Sequence, residues 1–402
     1  MTKPINRLGP MTKAIHAGED RHSLIGESAP ALHLSSTFIS KSVEGFSAHD
    51  IKPDSPYVYS RWANPTVTML EKKLAALHNA EACLCMASGM AAASGFLLTL
   101  LNKGDHAIFS DVCYAGIAEL AHDTLPRMGI NVSFVDMSHP KNVYNEIRPD
   151  TRLIHSESPV NPIGRLTNLA EISRIAKSAG ALHSTDSTFT SPLGQDAIGL
   201  GVDLVLHSIT KYIGGHGDAL GGAIVGSTEL IEKIRFEAGI HLGGILSPFN
   251  AWLIARGAAT LPLRLDAHQK GALKVAQWLE SQPSVTKVIY PGLPSHPQYT
   301  LAKQQMKNTS GMIAFQVGNA KRGREIAQKM MQTLNIIHYA VSLGHHRSLV
   351  FWMETEGLIN TSFRLSEKQA KSYRDFAGQG VFRLSVGLEN ADDLITDLGQ
   401  VL

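Results

Sequence analysis

The stretch DLVLHSITKYIGGHGDALGGAIVG, residues 203–226, places two apolar runs of strand length on either side of a lysine and a glycine-rich turn. Lys211 lies just after the apolar run 202–206, with four residues between. An amine kept near the carboxyl end of a buried strand, out of bulk water, has its pKa drawn down and becomes a usable nucleophile. The small hydroxyls of Ser208 and Thr210 stand beside it, suited to bonding phosphate oxygens. Taken alone, the same residues also describe a solvated lysine at a strand end.

Working outward, the run DLVLHS is one of a series: HAIFSD, NVSFVDM, TRLIHSES, ALHSTD and GGAIVG, with helical spacing over 169–176 between two of them. Short buried strands separated by helices read as βαβ units, so the expectation is an α/β fold with a mainly parallel central sheet covered on both faces. Ligands of such sheets sit at the carboxyl ends of the strands. The first 62 residues, rich in Ser, Pro and His, read as an extended N-terminal arm. A large domain is expected over 63–255. The stretch 243–248 is a candidate boundary, followed by a long helical region over 250–279 and a smaller C-terminal α+β domain over 256–402. The strand-like segments MIAFQVG, HYAVSLG and VFRLSVGLE belong to that domain.

Composition narrows the function. The 402 residues are 44% hydrophobic and 18% charged, enough for a sizeable core and too apolar for a disordered chain. A net charge of +2 without basic runs gives no electrostatic reason to expect nucleic acid or an anionic membrane, so a small-molecule partner is expected. Three cysteines, Cys83, Cys85 and Cys113, argue against a disulfide framework and for a reducing, cytoplasmic setting. Cys83 and Cys85 read as alternate positions of a buried strand rather than a metal pair. The 18 histidines lack metal-site spacing, so no metal is expected. The apolar run 86–101 is broken by Ser and Gly and reads as a buried helix, and MTKPINRLGP lacks the apolar stretch of a signal peptide.

Three further stretches carry candidate chemistry. STDSTF places Asp186 at the end of a strand-like run, where its carboxylate is either a helix N-cap or a partner for a protonated ring nitrogen. In ASGMAAAS, Ser88, Gly89 and Met90 open an apolar helix whose amides suit a phosphate. In SESPVNP, Asn161 follows a strand as turn chemistry or as a polar ligand group.

With these in view, the chain resembles the cystathionine γ-synthase, cystathionine γ-lyase and methionine γ-lyase family, pyridoxal-phosphate enzymes of fold type I. YSRWANPT (59–66) matches the family's YSRxxNPT, SGMAAA its SGMxAI, ESPVNP its ESPxNP, DSTFTSP its DNTFxSP and HSITKYIGGHGD its HSxTKYxGGHxD, in the same order. The resemblance implies pyridoxal 5′-phosphate carried as an imine on Lys211, with Asp186 facing the pyridinium nitrogen. Ser88, Gly89, Met90, Ser208 and Thr210 would cradle the phosphate, and Tyr114 would stack on the ring as an acid or base. Arg383 would hold the substrate α-carboxylate with help from Asn161 and Ser342, Asn161 also facing the cofactor. Tyr59 and Arg61 would reach the phosphate of a neighbouring subunit, which implies a homodimer doubled into a tetramer. The implied reaction is γ-elimination or γ-replacement on a γ-substituted L-2-amino acid.

Departures from the pattern bear on the substrate. Gly116 stands where methionine γ-lyases carry a Cys, SLGHHRSL puts Arg347 where a Glu is usual, and FWMETEGLINTSF (351–363) replaces HPASMTH. Ser187, Ala115 and Ile117 also differ from the family's usual residues. His345, His346, Arg347, Trp352, Glu354 and Glu356 are therefore either a remodelled pocket for the leaving group or a solvated loop. A non-thioether such as canavanine would seek Glu354 or Glu356. The other readings are a β-lyase on cystathionine or cysteine, a methionine γ-lyase, a transaminase, and a non-catalytic regulator on the same fold.

Overall fold

The computed structural model describes residues 5–19, 26–40, 47 and 55–402. Parts of the expected arm, 1–4, 20–25, 41–46 and 48–54, lie outside the described residues. Two compact units are discontinuous along the chain: Met1–Asn102 with Asp203–Pro262, and Lys103–Val202 with Leu263–Leu402. The strands among the described residues are β1 (Ala82–Met86), β2 (His106–Ser110), β3 (Asn131–Val135), β4 (Thr151–Glu157), β5 (Leu182–Asp186), β6 (Leu204–Ser208), β7 (Gly222–Gly226), β8 (Lys287–Ile289), β9 (Met312–Gln316), β10 (His338–Tyr339), β11 (Leu349–Glu354) and β12 (Gly380–Ser385).

In the first unit β7 lies between β1 and β6 and is antiparallel to both. The sequence pattern predicts GGAIVG as a further member of a mainly parallel set. The lysine-bearing connection 209–221 contains no helix to carry the chain back across the sheet, so the strand returns antiparallel. Cys83 and Cys85 are buried on β1, alternating with Leu84 as a strand requires. Helices α1 (Pro10–His16), α2 (Pro65–His78) and α3 (Gly89–Leu100) belong to this unit. Asn64 caps α2, accepting the Thr66 amide at 2.9 Å, and Pro65 occupies the first turn, where its missing N–H costs nothing.

The second unit has two sheets. In one, β3-β2-β4-β5 run parallel throughout, the βαβ arrangement expected from the sequence. The helix Leu169–Ser178 joins β4 to β5, capped by Asn168 on the Glu171 amide. Its apolar face, Leu169, Ile172, Ile175 and Ala176, follows helical spacing, and the last three pack on Ile108, Met137, Val143 and Ile154. Each of the Leu and Ile side chains contributes about 1.5–3 kcal/mol on full burial. The other sheet, ordered β10-β11-β12-β9-β8, has the α+β character expected of the C-terminal region. HYAVSLG is predicted as one strand, yet only His338–Tyr339 pairs, in parallel with β11. Ser342 (φ 95°) and Gly344 (φ 70°) take left-handed backbone that no strand accommodates. The predicted helical region 250–279 is two helices, Pro248–Ala259 and Leu261–Glu280, because Pro262 lacks the N–H that would continue the first. No helix among the described residues is long and apolar enough to cross a membrane.

Candidate active site

In the first unit the lysine turn is built by glycine. Gly215 and Gly217 have φ near +70°, a region that side chains disfavour. A Cβ on Gly257, in the helix Pro248–Ala259, would fall 2.0 Å from the Gly214 carbonyl oxygen, so helix and turn are in close contact. The half-buried Lys211 belongs to this turn, its amide bonded to Ser208 O at 3.1 Å and its carbonyl accepting Gly215 N at 2.7 Å. His216 bonds Gly214 O within the turn, and His207 packs in the interior against the His78 ring, kept neutral by burial. Neither is placed as a metal ligand, and the described residues hold no cluster of three or more His, Cys, Asp and Glu that could bind one.

The start of α3 lies against this turn. A Cβ on Gly89 would come within 3.0 Å of the Ser208 Cβ, and one on Gly222 within 2.1 Å of the Ser88 carbonyl oxygen. Ser88 caps the helix by accepting the Ala91 amide at 3.0 Å. The amides of Gly89 and Met90 donate to no acceptor among the described residues. Two orphan donors at a helix N-terminus, beside the Ser208 hydroxyl, form a fitting cradle for a phosphate. Thr210 is differently occupied: its hydroxyl donates to Gly221 O (3.2 Å) and accepts Gly221 N (3.0 Å), which closes the lysine turn. Tyr59 is 41% exposed, and Arg61, over its ring at 5.6 Å, donates to Ile240 O at 2.6 Å.

In the second unit Asp186 and Glu157 are register partners at the ends of β5 and β4, both buried. Asp186 accepts the Thr188 amide at 2.8 Å, and burial lifts its carboxyl above the usual range. Burial, reinforced by Asp186, raises Glu157 as well, and the Cys113 thiol is pushed up by burial and by the same acids. A buried acidic group of this kind is stabilised by a cation, and the protonated ring nitrogen of pyridoxal phosphate is one. Glu157 spends both oxygens on backbone: Oε2 accepts Tyr114 N at 2.6 Å and Oε1 accepts Asn161 N at 2.7 Å. Asn161 Oδ1 in turn accepts Arg383 Nη1 at 3.0 Å, and Arg383 Nη2 bonds Ser342 O at 3.1 Å. Tyr114, Asn161, Ser342 and Arg383 are thus joined in one network that also contains Glu157. Sequence reading gave Glu157 no role, although it begins ESPVNP at a strand end.

The group His345, His346, Arg347, Trp352, Glu354 and Glu356 does not form one pocket. Trp352 is a core residue, its ring 4.9 Å from Phe382 and pressed against Gly323 and Gly380. Glu354 is paired with Arg324 at 2.6 Å and Glu356 with Arg374 at 2.7 and 2.9 Å, all at the surface, so neither carboxylate awaits a substrate guanidinium. Arg347 is exposed. Within the substituted stretch, Phe351 is the residue opposite Arg383 in the β11–β12 register, and it packs on Tyr339 at 5.3 Å.

Comparisons with known proteins place the chain in a family. Residues 11–402 match the family described as Cys/Met metabolism PLP-dependent enzymes. The chain is 38% identical to an L-methionine γ-lyase of Treponema denticola, covering 100% of this chain and 98% of the relative. It is 39% identical to a canavanine γ-lyase of Pseudomonas canavaninivorans, with the same coverage. The crystal structure of metB from Corynebacterium glutamicum superposes with a TM-score of 0.89 at 33% identity, covering 100% of this chain and 99% of that one.

Proposed function

The chain belongs to the Cys/Met metabolism PLP-dependent enzyme family, and from that premise we propose that it eliminates the γ-substituent of a non-thioether L-2-amino acid of the canavanine type. That it is a pyridoxal-phosphate enzyme of γ-elimination or γ-replacement follows from the family and its relatives. The observation carrying the narrower reading is Gly116, in the helix Ala115–Glu119 immediately after Tyr114, where methionine γ-lyases have a thiol. The likeness to a canavanine γ-lyase is compatible with it, and the comparable likeness to a methionine γ-lyase leaves Gly116 as the observation that favours it.

When bound, the cofactor supplies a conjugated cationic ring that takes up the electron pair left at Cα. The chain supplies the rest. Arg383 presents a planar fork to the α-carboxylate, oriented by Asn161 and by Ser342 O. The Lys211 amine would take the Cα proton, hand it on to the cofactor-side carbon and, neutral again, take a proton from Cβ, and the Tyr114 hydroxyl would give a proton to the departing γ-group. Asp186 keeps the ring nitrogen protonated, while Ser88, Gly89, Met90 and Ser208 hold the phosphate. Tyr59 and Arg61 serve the site of a second subunit in a homo-oligomer, a reading supported by the exposure of Tyr59. A cytoplasmic setting is supported by three free, buried thiols.

The test is a panel of canavanine, methionine, cystathionine, homocysteine and O-acetylhomoserine with wild-type protein and Lys211→Ala. Turnover of canavanine above the thioethers is expected, with loss of turnover and of the visible cofactor absorption in the variant. A strong thioether preference refutes the substrate reading, and turnover by Lys211→Ala refutes the chemistry. Pyruvate as product would indicate β-elimination instead.

A further inference from the structure

A single buried carboxylate connects the two arms of the second unit on which the proposed chemistry depends. Glu157 is 4% exposed and ends β4. One oxygen accepts the amide of Tyr114, the residue assigned to proton transfer, and the other accepts the amide of Asn161, which aligns Arg383. Its register partner on β5 is Asp186. We propose that Glu157 is a positioning residue, a two-ended latch that fixes the Tyr114 and Asn161–Arg383 arms at set distances from the Asp186 strand end. It touches neither substrate nor cofactor and acts through the backbone of residues that do. This inference rests on the roles proposed above for Tyr114, Asn161 and Arg383.

The physical reason lies in the number of acceptors. A carboxylate has two equivalent oxygens and no proton to donate, so it alone among side chains of this shape accepts from two opposed N–H groups. The isosteric Glu157→Gln keeps one oxygen and turns an NH2 group toward the other amide. One latch survives and the other becomes donor against donor. The change therefore separates the arms. Release of Asn161 loosens Arg383 and weakens binding of the amino-acid carboxylate. Release of Tyr114 leaves binding intact and slows the proton transfer.

The experiment uses the cofactor-loaded enzyme as wild type and Glu157→Gln, with Glu157→Ala as a second variant if it folds. Hydrogen exchange by mass spectrometry is read on peptides containing Tyr114 and Asn161, and binding of L-alanine, which has no γ-group to lose, is read by the visible spectrum. Steady-state constants are taken on the best substrate of the panel. In Glu157→Gln, exchange should accelerate at least tenfold in one of the two peptides only. If the Asn161 peptide is released, KM and the L-alanine dissociation constant should rise about tenfold with kcat kept. If the Tyr114 peptide is released, kcat should fall about tenfold with L-alanine binding kept. Wild-type exchange and kinetics in Glu157→Gln overturn the proposal, as does faster exchange spread over the whole chain. Failure of the wider functional reading is distinguishable, since it shows as wild-type protein without visible absorption or turnover, while the exchange comparison still judges the latch.

Discussion

Replacing Arg165 by Met removes the cation from a buried triad and leaves two carboxylates behind. Arg165 Nη2 pairs with Asp111 Oδ1, and Arg165 Nη1 lies 3.1 Å from Asp136 Oδ2. The side chains are 4%, 0% and 11% exposed, so water does little to screen them. Breaking a buried pair by removing one partner costs about 3–5 kcal/mol, because the remaining charge stays desolvated. At roughly 1–2 °C per kcal/mol for a chain of this size, Tm should fall by about 5 °C. The loss should depend on pH. Burial already holds Asp111 above its ordinary pKa against the pull of Arg165, whereas Arg165 and Ser138 bring Asp136 below its own against burial. Without the arginine both folded-state values lie higher than now, and a raised carboxyl destabilises the fold at pH above its folded value and ceases to do so once protonated. The deficit is therefore largest at pH 7 and shrinks as pH falls toward about 4, near the unfolded carboxyl pKa. Calorimetry of both proteins at pH 7 and pH 4.5 measures it, and adding Asp111→Asn to Arg165→Met should restore part of the loss. A deficit under about 1 kcal/mol, or one that is the same at both pH values, would refute the reasoning.

Two further outcomes follow from the same network. Arg383→Lys retains a charge but cannot bond Asn161 Oδ1 and Ser342 O while also gripping a carboxylate in two places. Losing one charge-assisted bond of about 1.5–3 kcal/mol should raise KM roughly 10- to 150-fold, and an unchanged KM would remove Arg383 from substrate binding. The double variant Glu354→Gln with Glu356→Gln breaks only surface pairs with Arg324 and Arg374, so turnover of every amino acid in the panel should stay at wild-type level. Selective loss of canavanine turnover would return those carboxylates to the substrate pocket.

Legibility differed by residue. Lys211, Gly89 and Asp186 stand in ordered motifs, where strand ends, small residues and turn glycines announce the local geometry before any tertiary contact is known. Glu157 stands in such a motif too, yet its role depends on the amides of Tyr114 and Asn161, and an accepted hydrogen bond from backbone leaves no mark on the donor's side-chain identity. Thr210 stands in the lysine motif as well, and the bond of its hydroxyl to Gly221 O, which closes the turn, could not be read from the motif. Trp352, Glu354 and Glu356 looked like a cluster because they are close in sequence. Trp352 packs in the core against Phe382, whereas Glu354, at the end of the same strand, and Glu356, in the helix Thr355–Asn360 that follows, are paired with Arg324 and Arg374 at the surface.

By itself the sequence determined the βαβ series, the lysine turn and the family chemistry, since these rest on periodicity, glycine conformation and motif order within short stretches. Only the tertiary structure decided that β7 returns antiparallel, that Arg383 is oriented through Asn161 by a buried Glu157, and that two glutamates are already paired. Those outcomes depend on which groups from distant segments meet, and the energy of a desolvated hydrogen bond or ion pair exists only once folding has brought both partners together.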